Sequence, residues 1–498
     1  MSQVLDMVTS QKLTYEQKVM SLAHAAEDTL SVLNIPEKTR YYFEINAIDD
    51  LYEGSAPYRP RYIMPDYEHL LTNGSEFLRI EPPEDIDELL NSLMIFYKHV
   101  PSITGFPVYL GNIDKLIEPF LDGVSDKKAK KKLRLFLNYL DRTITDSFCH
   151  ANIGPEATRA GKLILELEKE LQNAVPNFTL KYDPAITPDD YAELAVHASL
   201  YCANPAFCNH HIHQKTYPTD YGISSCYNIL PIGGGAHTLS RITLPGLANV
   251  ATSTEQFLYE LLPDCLEALG GYMNERIRFL VEQSGFFESS FLVKEGFIDA
   301  NNFIGMLGIT GLAECTNILM GENEKRYGHD SEADDLAEQI MKVISNFAAQ
   351  FPAKYSNISG GQLMLHAQVG MDYDIGITSG VRIPVSDELE NIYDHLRHSA
   401  RFHREITTGC GDIFPIETTG RNNPSAILDI VKGAFSLGSK YMSFYEENSD
   451  LVRITGYLVK RSEMEKYRDE QVVLQNTTQL GTSNYDHNHL KDRKVRGV

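Results

Sequence analysis

Apolar residues recur with a helical period in several segments of the chain, separated by polar or glycine- and proline-containing stretches. The segment IDELLNSLMIFYKHV, which starts at residue 86, places apolar side chains three and four positions apart, as an amphipathic helix does. Shorter apolar runs predict extended segments at residues 176–182, 223–235 and 451–461, the last with a turn at Gly456. The same helical period predicts further helices over residues 131–148, 158–175, 253–269, 335–351 and 387–403.

Helices therefore alternate with short extended segments along most of the chain. This alternation is typical of an α/β barrel or a layered α/β fold, and not of an all-α or all-β one. The sequence has no internal repeat and no composition break that would mark a domain boundary. We predict one domain over residues 1–498, with a helical N-terminal part over about residues 1–175. The polar segment 462–498 is interpreted as a tail or as a segment that wraps the surface.

The charge balance excludes a broad class of partners. The chain has 45 Lys and Arg against 68 Asp and Glu, a net charge of −23, whereas binders of the nucleic-acid backbone need a positive field. The basic run at residues 127–134 leads into an apolar helical pattern and is interpreted as a solvated helix face. No stretch approaches the ~20 apolar residues of a membrane-spanning helix, and the N-terminus has no signal-peptide pattern. We therefore expect a cytoplasmic protein that binds neither nucleic acid nor membrane.

The seven cysteines are predicted to be free thiols, because their number is odd and no Cys-x-x-Cys pair occurs. The densest group of metal-binding residue types lies in CANPAFCNHHIHQ, residues 202–214, where a His-x-His pattern would put two rings on one side of a strand. Its spacing matches no structural zinc module, and we predict no bound metal. A metal site, a polar wall facing a substrate and a buried structural cluster remain the alternatives. The residues concerned are Cys202, Cys208, His210, His211 and His213.

Common cofactor and hydrolase signatures are missing from the sequence. GGGAHT at residues 233–238 is not a P-loop, and no GxGxxG, HExxH or GxSxG motif is found. The most informative segment is RITGY at residues 453–457, where a glycine interrupts an extended apolar run. Taken alone, Gly456 would be interpreted as a turn glycine.

Four segments in chain order resemble conserved segments of the glycyl radical enzymes. RITGY resembles their C-terminal RVxGY motif, with Ile454 in place of the usual Val, and SSCYNILPIGGG offers Cys226 as the mid-chain cysteine. PNFTLKYDPAITP, at residues 176–188, looks like a third family segment. The pattern G-x-x-G-L-x-E is matched in MLGITGLAECTN by Gly308, Gly311, Leu312 and Glu314. The resemblance is greatest to the YjjI-type glycine radical enzymes, whose reaction is unassigned.

The resemblance implies an oxygen-sensitive enzyme of anaerobic metabolism in which Gly456 carries an organic radical. Glycine suits this role because no side chain crowds the conjugated backbone centre. Cys226 would relay the radical as a thiyl radical that takes hydrogen from a small-molecule substrate. That role needs a thiol and not an activated thiolate. Cys410, in TTGCGDIFP, and Cys315 are the competing cysteines.

The resemblance further implies a ten-stranded α/β barrel made of two five-stranded halves. The Cys and Gly loops would lie at its centre, helices would surround it, and residues 440–498 would form the C-terminal glycine radical segment. No bound cofactor is implied. The implied partner is a radical S-adenosylmethionine activating enzyme that takes hydrogen from Gly456 after the loop swings out, and a homodimer is usual in the family. We expect the polar segment 462–498 to help present this loop.

Departures from the family patterns restrict the reaction. Members with two adjacent cysteines are unlike this chain, where Tyr227 follows Cys226, and the dehydratases carry a Glu where this chain has Asn228. The four-cysteine zinc site and the N-terminal nucleotide-binding cone of anaerobic ribonucleotide reductases are not visible.

A divergent nucleotide reductase, a Cys/His metal-site protein and an inactive relative that acts as a binding protein remain alternatives. The candidate substrate contacts are Tyr227, Asn228, His210, His213, Asp412 and Glu314. For Glu314, a helix-packing role is the alternative.

Overall fold

The computed structural model describes residues 2–321, 325–367, 370–371 and 373–497. Its helices are α1 Ser2–Thr9, α2 Tyr15–Glu27, α3 Glu37–Glu44, α4 Tyr67–Asn73, α5 Ile86–Tyr97, α6 Ile113–Ile117, α7 Asp126–Thr143, α8 Arg159–Leu171, α9 Asp189–Cys202, α10 His210–His213, α11 Leu244–Ala248, α12 Thr254–Gln256, α13 Leu262–Glu282, α14 Phe286–Ser289, α15 Phe291–Lys294, α16 Leu312–Met320, α17 Ser331–Gln350, α18 Ile392–His403, α19 Pro424–Ser436, α20 Arg461–Arg468 and α21 Thr477–His487. Among these described helices, none is both long and apolar enough to cross a bilayer.

The strands form two main sheets and two separate hairpins. They are β1 Ile48–Asp49, β2 Tyr62–Met64, β3 Tyr109–Asn112, β4 His150–Ile153, β5 Asn177–Tyr182, β6 Ala206–Asn209, β7 Tyr221–Ser224, β8 Asn228–Pro231, β9 Gly234–Thr243, β10 Phe303–Thr310, β11 Met364–His366, β12 Asp412–Ile416, β13 Tyr441–Glu446, β14 Leu451–Arg453 and β15 Leu458–Lys460.

In the first sheet β9, β10 and β11 are parallel, and β1 and β2 pair antiparallel with β9. In the second sheet β3, β4, β5 and β6 are parallel. There β6 pairs antiparallel with β13, which is parallel to β12. The hairpins are β7–β8 and β14–β15. The fold is therefore mixed α/β, as predicted.

A closed ten-stranded barrel is not formed by the strands of the described residues. The two sheets have five and six strands, and neither closes on itself. Between them, one isolated bridge joins His366, at the end of β11, to Gly409, shortly before β12. The continuous ladder of hydrogen bonds that strand pairing requires is not present at this seam.

All six segments with a helical hydrophobic pattern contain helices. The segment at 253–269 is interrupted by one π-helical turn at Phe257–Leu261, and the one at 387–403 begins only at Ile392, where Asn391 caps the helix by accepting from the Tyr393 N–H. The basic run belongs to α7 and is partly exposed. Its side chains pair with carboxylates of neighbouring helices, for example Lys130 with Glu166 at 2.5 Å. The interpretation as a solvated helix face is confirmed.

The extended segments are also found, with more turns than predicted. Residues 177–182 form β5, and residues 451–461 form the β14–β15 hairpin. The segment 223–235 is not one strand: it contains the hairpin turn between β7 and β8 and the first residues of β9. Strand β10 was missed, because all eight of its residues are buried and no alternation of polar and apolar positions marks it.

The polar C-terminal segment wraps the β14–β15 hairpin and is not a loose tail. Helices α20 and α21 lie next to β15, and a side chain added at Gly481 would lie 2.5 Å from Val459. Asn484 of α21 donates a hydrogen bond of 3.3 Å to the Tyr457 hydroxyl. Tyr457 and Val459 belong to a separate apolar cluster that also contains Cys202. The end of the chain therefore covers the turn that contains Gly456.

Candidate active site

Cys226 lies at the tip of the β7–β8 hairpin. The ladder closes at the pair Ser224–Asn228 and leaves Ser225, Cys226 and Tyr227 as the turn. Ser225 and Tyr227 have φ angles of 50° and 61°, in the left-handed region that side chains other than glycine disfavour. This strained turn projects Cys226 away from the hairpin.

Neighbouring strands anchor the hairpin that carries Cys226. The Asn152 side chain on β4 bonds Ile223 twice: its Oδ1 accepts from the Ile223 N–H at 2.7 Å, and its Nδ2 donates to the Ile223 carbonyl at 2.9 Å. On the other strand, the Ile229 N–H donates to the Thr408 carbonyl at 2.6 Å. These bonds compensate the strained turn and fix the position of the tip.

Gly456 lies in the turn between β14 and β15, in backbone contact with Cys226. The turn is closed by a hydrogen bond of 3.0 Å from the Ile454 N–H to the Tyr457 carbonyl. A Cβ atom on Gly456 would lie 2.9 Å from both the carbonyl carbon and the Cβ of Cys226, and still closer to its Cα. No residue other than glycine fits here without displacing the cysteine backbone.

Two arginines hold the glycine turn. Arg453 is 1% exposed, and its guanidinium donates to the Asn177 side chain at 3.0 Å, to the Gly456 carbonyl at 3.3 Å and to the Ala203 carbonyl at 2.7 Å. Arg493, near the end of the chain, donates to the carbonyls of Arg453 and Ile454, each at 2.7 Å. Hydrogen bonds from charged donors are among the stronger ones in proteins.

The environment of Cys226 favours the neutral thiol. Burial raises the pKa of Cys226, while hydrogen bonds with Thr455, the Gly456 backbone and Ser225 oppose this in part. The sulfur lies 3.9 Å from the Thr455 hydroxyl. A buried thiol next to a glycine backbone suits the exchange of a hydrogen atom better than attack by a thiolate.

Cys226 opens onto a cavity of about 420 Å³. Ser225, Tyr62, Arg61 and His366 are the polar residues of its wall near the cysteine, and α2 and α21 contribute further wall residues. Gly456 is buried behind Cys226, and a volume of this size is typical of a site for a small molecule. The arrangement therefore places a thiol between a buried glycine and a space for a ligand.

The residues next to Cys226 in sequence point elsewhere. The Tyr227 ring stacks on Tyr441, with centroids 4.9 Å apart, and Asn228 donates back to the Ser224 carbonyl at 3.0 Å. His213 is buried, with its ring centroid 5.4 Å from that of Tyr441. His210 bonds the Tyr221 hydroxyl at 2.7 Å. Within the described residues, none of the predicted substrate contacts Tyr227, Asn228, His210 and His213 lines the cavity.

Glu314 and Asp412 come together in a second cavity of about 160 Å³, which also contacts Thr455. Glu314 accepts from the backbone and side chain of Thr378, at 3.0 and 2.5 Å, and burial raises its pKa. Burial also acts to raise the pKa of Asp412, but His395 and His403, at 3.6 and 3.7 Å, lower it overall. These two candidates do not line the cavity beside Cys226, and a role in substrate binding stays a prediction.

The Cys/His segment at 202–214 does not have the expected geometry. His210–His213 form the short helix α10, so the prediction of a His-x-His pair on one side of a strand is wrong. Cys202 donates to the carbonyls of Ala198 and Asn204, each at 3.3 Å. Among the residues that the structure describes, no group of three or more His, Cys, Asp or Glu could hold a metal ion. Much of the segment 202–214 therefore packs into the interior of the protein.

The sequence analysis missed the polar wall of the cavity. Arg61 and Tyr62 belong to a proline-rich segment without a motif, and His366 ends a three-residue strand. Only Ser225, as the neighbour of Cys226, could have been named from the sequence. The other three converge through the fold.

The chain matches a protein family and two relatives over nearly its whole length. Residues 13–496 match the model of the family described as "Glycyl radical enzyme YjjI-like". An uncharacterised protein of Haemophilus influenzae is 42% identical over 99% of this chain and 97% of its own length. The uncharacterised protein YjjI of Escherichia coli is 40% identical over 99% and 95%.

Solved structures share the fold at low sequence identity. An anaerobic ribonucleotide reductase of Thermotoga maritima superposes with a TM-score of 0.72 at 13% identity, covering 93% of each chain. The structure titled for 1,2-propanediol dehydration in Roseburia inulinivorans has a TM-score of 0.68 at 11% identity, covering 99% of this chain and 88% of that one. The family match and the two relatives extend over nearly the whole chain, and the chain is an enzyme that belongs to the YjjI-like glycyl radical enzyme family.

Proposed function

We propose that Gly456 carries the glycyl radical and that Cys226 passes it to a small molecule in the adjoining cavity. The observation that carries this proposal is the backbone contact between Gly456 and Cys226, with only the cysteine facing the cavity. A glycine so close to a thiol, in a place where no side chain fits, suits direct hydrogen transfer between the two.

The proposed cycle moves one hydrogen atom at each step. The Gly456 radical takes the hydrogen of the Cys226 S–H bond, so that a C–H bond forms and the unpaired electron moves to sulfur. The thiyl radical then takes hydrogen from a substrate C–H bond, which restores the thiol and leaves a carbon radical. After rearrangement or elimination, the product radical takes the hydrogen back. The polarisable sulfur hosts the unpaired electron between these steps.

Enzymes of this family carry a glycyl radical that a separate activating enzyme installs. We propose that this partner is a radical S-adenosylmethionine enzyme and that the β14–β15 hairpin moves out of the interior to reach it. We further propose that strands of the two sheets together form one ten-stranded barrel of two parallel halves, one containing β3–β6 and the other β9–β13. The antiparallel β6–β13 pair supports this because it lies where the halves would join, and the parallel His366–Gly409 bridge would link β11 to β12 within the second half.

The reaction itself stays open, and the cavity gives a reason to rank a nucleotide reductase second. Arg59 and Arg61 are the arginines among the described residues of the wall, and each is already paired with a carboxylate, Glu27 and Glu53. A nucleoside di- or triphosphate requires cations that are free to bind phosphate. Calorimetric titration with ribonucleotides tests this alternative, and binding would restore it.

The radical assignment is tested by electron paramagnetic resonance. The protein is produced anaerobically with an activating enzyme that generates a radical on the E. coli relative, and the same sample is then exposed to air and analysed by mass spectrometry. We expect a doublet signal, and oxygen cleavage that releases residues 456–498. Cleavage at another glycine, or no signal although the relative is activated, would contradict the assignment.

A further inference from the structure

The cavity beside Cys226 has apolar side chains along much of its wall and several polar residues, among them Ser225, Tyr62, Arg61 and His366. The Ser225 hydroxyl donates to the Tyr62 hydroxyl at 3.1 Å, and Arg61 and His366 line the same cavity as Cys226. The apolar wall includes Leu51, Ile103, Phe106, Phe148, Met371 and Leu480. A ligand that fits has an apolar body and a polar group at the cysteine end.

The arginines of the described wall are already paired with carboxylates. Arg59 forms an ion pair with Glu27. Arg61 approaches Glu53 at 3.4 Å, and the second oxygen of this carboxylate lies 3.3 Å from Arg276. An anionic ligand would have to leave water and find no arginine of the wall free to pair with it, which costs free energy. An uncharged ligand avoids this cost.

His366 is the buried residue of the described wall in which no polar side-chain atom has a hydrogen-bond partner, whereas Arg59 and Arg61 leave only Nε without one. Its side chain is fully buried, and neither ring nitrogen has a hydrogen-bond partner among the described residues. Burial, and then the charge of Arg61, lowers the pKa of His366 to about 3, so the ring is neutral. A neutral imidazole offers one donor and one acceptor, and a buried polar group without a partner is rare in native proteins.

We propose that the substrate is a small uncharged alcohol with an apolar body, and that His366 binds its hydroxyl group beside the Cys226 sulfur. This inference rests on the proposed function, which makes Cys226 the reacting residue of this cavity. In the hydrogen transfer a C–H bond of the alcohol breaks homolytically, an S–H bond forms, and the unpaired electron passes from sulfur to carbon. The hydroxyl proton stays in the hydrogen bond to His366, so no further reactant is needed.

Binding to the full-length protein before activation tests the ligand class without any radical. The probes are the primary alcohols and 1,2-diols from propanol to octanol and the carboxylates of the same chain lengths, measured by calorimetry. We expect alcohols to bind, and carboxylates of equal length to bind at least about tenfold more weakly. Carboxylates that bind as tightly as the alcohols, or a complete lack of alcohol binding, would overturn the proposal.

His366→Phe tests the residue, with His237→Phe as its matched control. His237 is also fully buried with both ring nitrogens unpartnered in the described structure, and its pKa is likewise lowered to about 3, but it does not line the cavity. We expect alcohol affinity to fall about tenfold in His366→Phe and to stay unchanged in His237→Phe. Equal affinities in the two variants would overturn the role of His366.

A measurement on the unmodified protein covers the case in which His366→Phe does not fold. Binding of the alcohol should shift the imidazole nitrogen resonances of His366 and leave those of His237 in place, and the opposite pattern would overturn the proposal. The radical is a separate readout. His366→Phe should still form the Gly456 doublet on activation, whereas a wild-type protein without a doublet would refute the proposed function and leave the ligand assignment to the binding data.

Discussion

The hairpins that meet at Cys226 and Gly456 are held in the molecule in different ways. The β7–β8 hairpin is fixed by neighbouring strands, through the paired amide bonds of Asn152 and the main-chain bond to Thr408. The β14–β15 hairpin is attached by two arginine side chains: its own Arg453 donates to Asn177 and to the Ala203 carbonyl, and Arg493 donates to the carbonyls of Arg453 and Ile454. The first hairpin is fixed through a strand side chain and the main chain, and the second depends on two long, charged side chains.

This difference makes the β7–β8 hairpin, which carries Cys226, the fixed one and the β14–β15 hairpin, which carries Gly456, the removable one. Moving Cys226 would break hydrogen bonds to the sheets, whereas moving the glycine turn exchanges arginine–carbonyl bonds for bonds to water. The covering helix α21 and Arg493 both belong to the last part of the chain. The proposed activation, in which the glycine leaves the interior and returns to the same cysteine, requires this asymmetry.

Gly456→Ala should have the largest effect, because it removes the contact on which the site depends. The added Cβ would overlap the Cys226 backbone, and the β7–β8 hairpin is too firmly held to move aside. We therefore expect complete loss of the doublet and of oxygen cleavage. The overlap should also cost about 1–3 kcal/mol of stability in thermal unfolding. Gly271→Ala, where the new side chain meets nothing within 4 Å, is the control and should keep both the signal and the stability.

Cys226→Ala should abolish turnover and leave the glycyl radical in place. The S–H proton exchanges with water, so hydrogen transfer between Cys226 and Gly456 should carry deuterium to the glycine. In heavy water the wild-type doublet should therefore collapse to a single line, and in Cys226→Ala it should persist. Cys410→Ala is the control, since Cys410 is buried but does not line the cavity. Collapse in Cys226→Ala would exclude Cys226 as the relay, and persistence in Cys410→Ala would assign the relay to Cys410.

Arg493→Ala should loosen the removable hairpin without touching the fixed one. It removes two hydrogen bonds from a buried charged donor, and we expect a loss of about 3 kcal/mol in unfolding free energy. Amide hydrogen exchange should accelerate in residues 451–460 and remain slow in residues 221–231. Arg468→Ala, which removes a partly exposed ion pair with Asp486, should cost less than about 1 kcal/mol. Equal acceleration in both hairpins would refute the asymmetry.

The sequence predicts the parts of this site whose residue types the chemistry restricts. A radical relay requires a glycine and a thiol, and the segments around Gly456 and Cys226 have a pattern that can be recognised, although their roles stay predictions. The α/β class follows from the helical periods, but β10 is hidden by its uniform burial. His366 and Arg61 could not be predicted, because the fold alone brings two such distant segments together.

The pH dependence of the release of the β14–β15 hairpin should be the smallest effect. It connects this hairpin with the region around the β7–β8 turn. His150 on β4 is fully buried with its ring 6.2 Å from that of Tyr227, and burial, followed by the charge of Arg453, lowers its pKa to about 3. When the glycine hairpin leaves, water enters the space that it filled and relieves the burial of His150, and the Arg453 charge leaves as well, so that the pKa of His150 rises toward its ordinary value of about 6.5. The released state then binds a proton that the packed state does not bind. Release is therefore favoured as the pH falls from about 6.5 toward 3.

The size of this effect is bounded by one proton, or less than about 1.4 kcal/mol per pH unit. Exchange protection of residues 451–460, corrected for the intrinsic rate, should be lower at about pH 5.5 than at about pH 7 in the wild type. In His150→Phe this difference should shrink, because the group that takes up the proton is gone. The same pH difference in both proteins would show that His150 does not sense the hairpin and that Arg453 acts only through its hydrogen bonds.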